Sequence, residues 1–201
     1  MGLFLSKDPA NVFWLSFFKI PFISVQVDHM VALVPRTGRH LQRYDNKGFR
    51  QVVGCIPYRY RKTNESSSIE ELEVLVISSQ KGQGMLFPKG GWEMDESMKD
   101  AAKRETLEEA GVTGKVEENL GMWQYKSKRH DIWHESHMFP LLVNQQLDQW
   151  PEKNLRKRKW MTVAQAREVC PHDWMKEALE ELVKRQMKNQ RDEKADGTTR
   201  T

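Results

Sequence analysis

The sequence predicts an α/β protein: an α/β/α sandwich around a mixed β-sheet. Three observations predict it. Residues 51–60 and 71–79 are short runs rich in Val, Ile, Leu and Tyr, bounded by polar loops, as strands are. Residues 97–110 and 173–188 are rich in helix formers, carry capping residues and show apolar stripes. Further strand-like runs follow the first of these helices, so the helices must cover the faces of one sheet.

At 201 residues the chain suits one domain with a real core and some extra length. A hydrophobic content of 38% beside 30% charged residues describes a soluble globular chain with polar ends. The net charge of +4 and a pI near 9.0 favour anionic partners. Cys55 and Cys170 lie far apart without metal-ligand spacing, which suggests free buried thiols in a reducing compartment. We divide the chain into an N-terminal extension at 1–36, unpacked or dispensable, a domain at 37–188 and a disordered tail at 189–201. Residues 12–27 are apolar but broken by Lys19 and Pro21, too short and interrupted for a membrane span. The extension lacks both a basic signal start and the arginines of a transit peptide, and Met30 stands as an alternative start. The expected location is therefore cytoplasm and nucleus, with the mitochondrion as the alternative.

In chain order, residues 37–48 are a polar, basic loop, followed by the strand at 51–60 and a loop at 62–68. The run 71–79 reads as a strand buried on both faces. A turn at 81–84 leads to a short strand at 85–87. After the helix at 97–110, residues 115–126 read as one strand with Gly121 as a bulge. A basic turn at 126–130 returns the chain as a strand at 133–143. Residues 156–161 form a basic strand edge. Thr162 caps a short helix to Val169, and Asp173 caps the last helix, whose inward stripe is Trp174, Ala178, Leu179 and Leu182.

The helix at 97–110 carries the chemistry. Met98, Ala101 and Ala102 form its inward face, and one turn on that face continues as Glu105, Glu108 and Glu109. Three carboxylates at i, i+3 and i+4 repel one another and oppose the helix dipole at the C-terminal end. Such a conflict with local rules marks a functional site, and a hard divalent cation resolves it. Read alone, the helix could instead carry a solvated acidic face. Gly90 and Gly91 before it allow backbone to approach a ligand closely, and Arg104 can hold one carboxylate by a charge-assisted bond.

The segment Phe87-Pro88-Lys89-Gly90-Gly91-Trp92-Glu93 with Glu96, Arg104, Glu105, Glu108, Glu109, Gly111 and Val112 resembles the Nudix box. That is the loop-helix-loop signature of hydrolases acting on diphosphate linkages. Thr106 departs from it, standing where a bulky aliphatic residue is commonest. The resemblance covers about residues 37–188 and implies the Nudix fold and an Mg²⁺-dependent pyrophosphohydrolase, with Mn²⁺ as an alternative ion. It implies Glu105 and Glu109 as metal ligands, with a backbone carbonyl at Lys89 or Gly90. Glu108 is a third ligand or, as the family favours, the general base, assisted by Arg104. If the carbonyl of Lys89 is the ligand, its ammonium is free to meet phosphate.

Substrate choice must come from outside this segment. Basic residues are concentrated at Arg43 and Arg50, at Lys81 and Lys89, at 126–130 and at 156–158; if they ring one pocket, the ligand carries many phosphates. Trp92, Trp123 and Tyr125 could form a slot for a nucleobase. Leu120-Gly121, the basic turn and Arg156-Lys157-Arg158-x-Trp160 resemble the diphosphoinositol polyphosphate phosphohydrolases, and more closely their plant relatives. That resemblance implies that Arg50, Ser78, Ser79, Gln80, Lys128, Arg129, His130 and Arg156 face a small-molecule polyphosphate. Gln80 replaces a basic residue of animal members, and Lys89 replaces a glycine. The group also cleaves diadenosine polyphosphates. The alternatives are a diadenosine polyphosphate or other nucleotide hydrolase, and a non-catalytic polyphosphate-binding module. No aromatic-rich platform argues for nucleic acid, and nothing argues for a membrane.

Overall fold

The computed structural model describes residues 36, 38, 40–62, 70–80, 84–127 and 131–198. Its eight strands are β1 (Arg50–Lys62), β2 (Glu70–Ser78), β3 (Met85–Leu86), β4 (Lys89–Gly91), β5 (Val112–Val116), β6 (Gly121–Lys126), β7 (Trp133–Gln146) and β8 (Arg158–Thr162). The helices are α1 (Met98–Ala110), α2 (Val163–Val169) and α3 (Asp173–Thr198). The strands form one sheet with the path β3-β2-β1-β7-β5; β4 also pairs with β1, β6 with β7 and β8 with β2. β1 and β7 run parallel, with Val52 opposite Ser136, and the other pairs are antiparallel, so the sheet is mixed.

Alternation along the strands builds two cores. On one face Ile56, Tyr58, Val74 and Val76 pack with Ala166 of α2 and Trp174, Met175, Ala178, Leu179 and Leu182 of α3. On the other face Val53, Cys55, Leu75 and Ile77 pack with Ala101, Ala102 and Ala110 of α1. β2 therefore is buried on both faces, and the three layers are α/β/α as expected. Cys55 and Cys170 are free and buried, one in each core. Among the described residues no helix is long and apolar enough to cross a membrane.

Four local readings need correction. The run 115–126 is two strands, β5 and β6, both paired to β7, because residues 117–120 leave the ladder before Gly121 starts β6. Residues 89–91, with two glycines and no strand propensity, nevertheless pair with β1. Asp173 is the first residue of α3 rather than its cap; the carbonyl of His172 accepts from Met175 and Lys176 at the helix start. α3 also continues to Thr198 through the polar stretch read as a disordered tail. Its Lys, Arg, Gln and Glu are good helix formers, so the packed first turns propagate outward. At the other end, Arg36 was assigned to the extension but is held by side-chain partners described below. The readings on residues 1–35, 37, 39, 63–69, 81–83, 128–130 and 199–201 fall outside the described residues.

Candidate active site

α1 is delimited as its sequence dictates. The Ser97 hydroxyl accepts from the Asp100 amide at 3.1 Å, and Gly111 adopts the left-handed conformation (φ 63°) with its N–H on the Leu107 carbonyl at 3.0 Å. β4 lays the glycine loop against β1, with Gly54 opposite Lys89 and Val53 opposite Gly90. That pairing brings Gly90 onto the acidic face of α1. A Cβ at Gly90 would lie 2.1 Å from Glu105 Oε2, so only glycine leaves room for that carboxylate.

Arg104 is the hub of the loop. It gives two bonds to Glu96, at 2.6 and 2.9 Å, one to Glu105 Oε1 at 2.8 Å and one to the Gly91 carbonyl at 3.0 Å. Glu96 thus braces the loop and also accepts from the Glu93 amide at 3.1 Å. Glu109 is enclosed differently. Its Oε2 accepts from the Lys89 amide at 2.8 Å, and its Oε1 pairs with Arg156 Nη2. Glu108 Oε1 accepts from the Arg36 amide at 3.4 Å and lies 3.7 Å from Arg104 Nη1. The Arg36 side chain pairs with Glu93 at 2.6 Å and Asp95 at 3.0 Å. The packed chain therefore begins at least one residue before the expected boundary.

The substrate-facing set is distributed less simply. Arg156 is buried, bridging Glu109, Glu152 Oε2 at 2.5 Å and the Ser78 carbonyl at 3.1 Å. Arg158 caps the end of α1, donating to the carbonyls of Ala110 and Gly111 at 2.9 and 3.1 Å. Arg50 lies against the glycine loop, with its Nε on Gln42 at 2.6 Å. Ser78, Ser79, Gln80 and Arg156 meet Lys157 and Lys159 around a cavity of about 820 Å³. Lys128, Arg129 and His130 lie outside the described residues. Glu93, Glu152 and Arg36 were not among the sequence-based site residues. Glu152 pairs with Arg156 at i, i+4 across a single turn, whose backbone closes by the Arg156 amide donating to the Glu152 carbonyl at 2.9 Å.

The aromatic residues considered for a base slot are engaged. The Arg43 guanidinium lies 4.4 Å over the Trp92 ring, and Trp92 Nε1 donates to the Glu96 carbonyl at 3.0 Å. Trp123 Nε1 donates to Glu177 at 3.1 Å, and Tyr125 stacks on Trp174 at 4.8 Å.

The acids remain short of positive charge. Burial, with Glu109 adding to it and Arg104 opposing, pushes the Glu105 carboxyl up to about 8. Burial pushes Glu109 up to about 7 against the pull of Arg156 and Lys89, and raises Glu108 against Arg104. Among the described residues no three acidic, His or Cys side chains converge on a single point; Glu105 pairs with Arg104 and Glu109 with Arg156. The donor set nonetheless fits a hard divalent cation: carboxylates and backbone carbonyls, with excess negative charge that otherwise takes up protons. Both folded values lie above the ordinary 4.5, so the stability these groups contribute is fully present below that pH and is lost as pH rises through about 7 and 8. The predicted consequence is that Mg²⁺ raises the melting temperature more at about pH 8 than at about pH 6. Thermal melts with Mg²⁺ and with chelator at both pH values check this; equal shifts would refute it.

An α/β/α sandwich with a glycine loop paired to its central strand, set over the acidic end of a helix, is the architecture of a Nudix hydrolase. The chain belongs to that family: the NUDIX domain matches residues 49–186. It is an enzyme, a pyrophosphohydrolase, and its family generally uses divalent metal ions. It is 55% identical to Nudix hydrolase 4 of Arabidopsis thaliana over 91% of each chain. It is 58% identical to Nudix hydrolase 17, mitochondrial, of the same plant, over 79% of this chain and 87% of that one. Diphosphoinositol polyphosphate phosphohydrolase 2 of Mus musculus is 34% identical over 69% of this chain and 74% of its own. Among solved structures, an Ap4A hydrolase of C. elegans superposes with a TM-score of 0.53 at 20% identity, over 66% of this chain and 95% of that one. This likeness is one of fold.

Proposed function

We propose that this Nudix hydrolase cleaves a phosphoanhydride bond of diphosphoinositol polyphosphates with Mg²⁺. The observation that supports the reading is a cationic cavity linked to the acidic helix through Arg156, which lines it and pairs with Glu109. It is lined by Ser78, Ser79, Gln80 and Arg156, four of the residues expected to face polyphosphate, and Lys157 and Lys159 add charge to the same space. Likeness to the mouse phosphohydrolase supports the same substrate class. The engagement of Trp92, Trp123 and Tyr125 speaks against a base slot built from them.

In this reading Glu105 and Glu109 hold the ion together with a backbone carbonyl at Lys89 or Gly90. When bound, the ion supplies positive charge at the phosphate oxygens and makes a water easier to ionise. Glu108 takes the proton of the attacking water. The water oxygen bonds to phosphorus, the anhydride P–O bond breaks, and orthophosphate and the shortened inositol polyphosphate leave. Arg104 favours the ionised form of Glu105 against its burial and holds it in place, since it supports Glu105 and the loop together. Arg50, Ser78, Ser79, Gln80 and Arg156, with Lys128, Arg129 and His130, receive the remaining phosphates.

The test is a substrate panel at matched Mg²⁺. Diphosphoinositol polyphosphates are expected to exceed nucleotide substrates by about tenfold or more in kcat/KM. Phosphate release from diadenosine tetraphosphate without release from the inositol substrates would overturn the assignment. One observation favours that second reading: Trp133, 43% exposed, stacks on Phe49 at 5.5 Å beside Arg50 and could face a base. On location, the mitochondrial and chloroplastic names of two Arabidopsis relatives favour an organelle over the cytoplasm and nucleus.

A further inference from the structure

Lys89 is a cation beside the acidic helix with no anionic partner within ion-pair distance among the described residues. Its backbone is fixed twice: it pairs with Gly54 in the sheet, and its amide donates to Glu109 at 2.8 Å. Its side chain stands among Glu109, Arg156, Glu105 and Arg50, and Lys89 as a whole keeps only part of its surface exposed. Three arginines around it are engaged. Arg104 is committed to Glu96 and Glu105, Arg156 to Glu109 and Glu152, and Arg36 to Glu93 and Asp95. Among the described residues the Lys89 ammonium makes neither a hydrogen bond nor an ion pair within 4 Å. Burial without a partner costs an ammonium dearly, and water alone is a poor substitute beside two arginines. Two of its neighbours are the carboxylates suited to the metal, and two are cations suited to phosphate. The ammonium therefore stands among both kinds of group that a phosphate bound beside a metal would need.

We propose that the Lys89 ammonium binds a phosphate of the anhydride undergoing hydrolysis, and so is a substrate-binding residue distinct from the metal ligands. This rests on the pyrophosphohydrolase reading of the site but not on inositol as the substrate. A lysine that merely holds the loop would stabilise both the metal carboxylates and the fold. A lysine that serves phosphate repels the metal and gains its partner only with the substrate, so the two roles have opposite signs.

The experiment uses the full chain and two variants, Lys89→Met and Lys89→Arg. Mn²⁺ binding without substrate is measured by calorimetry, and inorganic pyrophosphate binding is measured with Mn²⁺ present. Lys89→Met is expected to weaken pyrophosphate binding about ten- to a hundredfold, the worth of a charge-assisted bond. It should bind Mn²⁺ at least as tightly as the unchanged protein and melt no lower. Lys89→Arg should keep most of the pyrophosphate affinity. Unchanged pyrophosphate binding in Lys89→Met overturns the proposal, and so does a joint loss of Mn²⁺ affinity and melting temperature. Because pyrophosphate carries no inositol, a failed inositol panel leaves this result intact, and the converse also holds.

Discussion

Replacing Glu108 with Gln is expected to lower kcat by about 10²–10⁴-fold, the range a positioned general base contributes. The substitution keeps the size of the side chain and can still accept from the Arg36 amide. It removes a carboxylate whose proton affinity burial already raises. The melting temperature should therefore hold or rise slightly. Comparison with Glu105→Gln and Glu109→Gln separates the roles. Those variants are expected to lose metal affinity, so raising Mg²⁺ should recover much of their rate. The Glu108→Gln loss should persist at saturating Mg²⁺ and should flatten the acidic limb of the pH–rate profile. Recovery of Glu108→Gln by Mg²⁺ would make Glu108 a ligand instead.

Arg156→Ala should be the most destabilising change at the site. Arg156 is 9% exposed and joins Glu109, Glu152 and the Ser78 carbonyl across three segments of the chain. Removing one partner of a buried ion pair leaves the others charged and desolvated, at about 3–5 kcal/mol. In a chain of this length each kcal/mol moves the melting temperature by about 2–4 °C. Mg²⁺ should recover part of that loss by replacing the positive charge beside Glu109. The double variant with Glu109→Gln should lose less than the sum of the single changes. An unchanged melting temperature with only a raised KM would show that Arg156 serves the substrate and does not brace Glu109.

The box helix was the most legible part of the chain. Ser97, Gly111, the small residues Ala101 and Ala102 and the acids on one face are all set by spacing along a single helix. The two central strands were legible for the same reason, since alternation between two apolar faces is written into residues 52–58 and 74–77. What spacing could not show was pairing across the chain. β4 has no strand propensity and exists because Gly90 and Gly91 fit against β1 and under Glu105. The segment 156–158 looked like a cationic rim. In the fold Arg156 neutralises Glu109, 47 residues away, and Arg158 closes the end of the helix.

By itself the sequence determined the family, the three layers and the three carboxylates, because each depends on residues close together on one element. Only the tertiary structure decided which cations are consumed inside the site. Arg104, Arg156 and Arg158 are taken up by carboxylates and carbonyls, whereas the Lys89 ammonium is enclosed without a partner among the described residues. That division depends on distance and desolvation between segments far apart in the chain, and neither is expressed in local spacing.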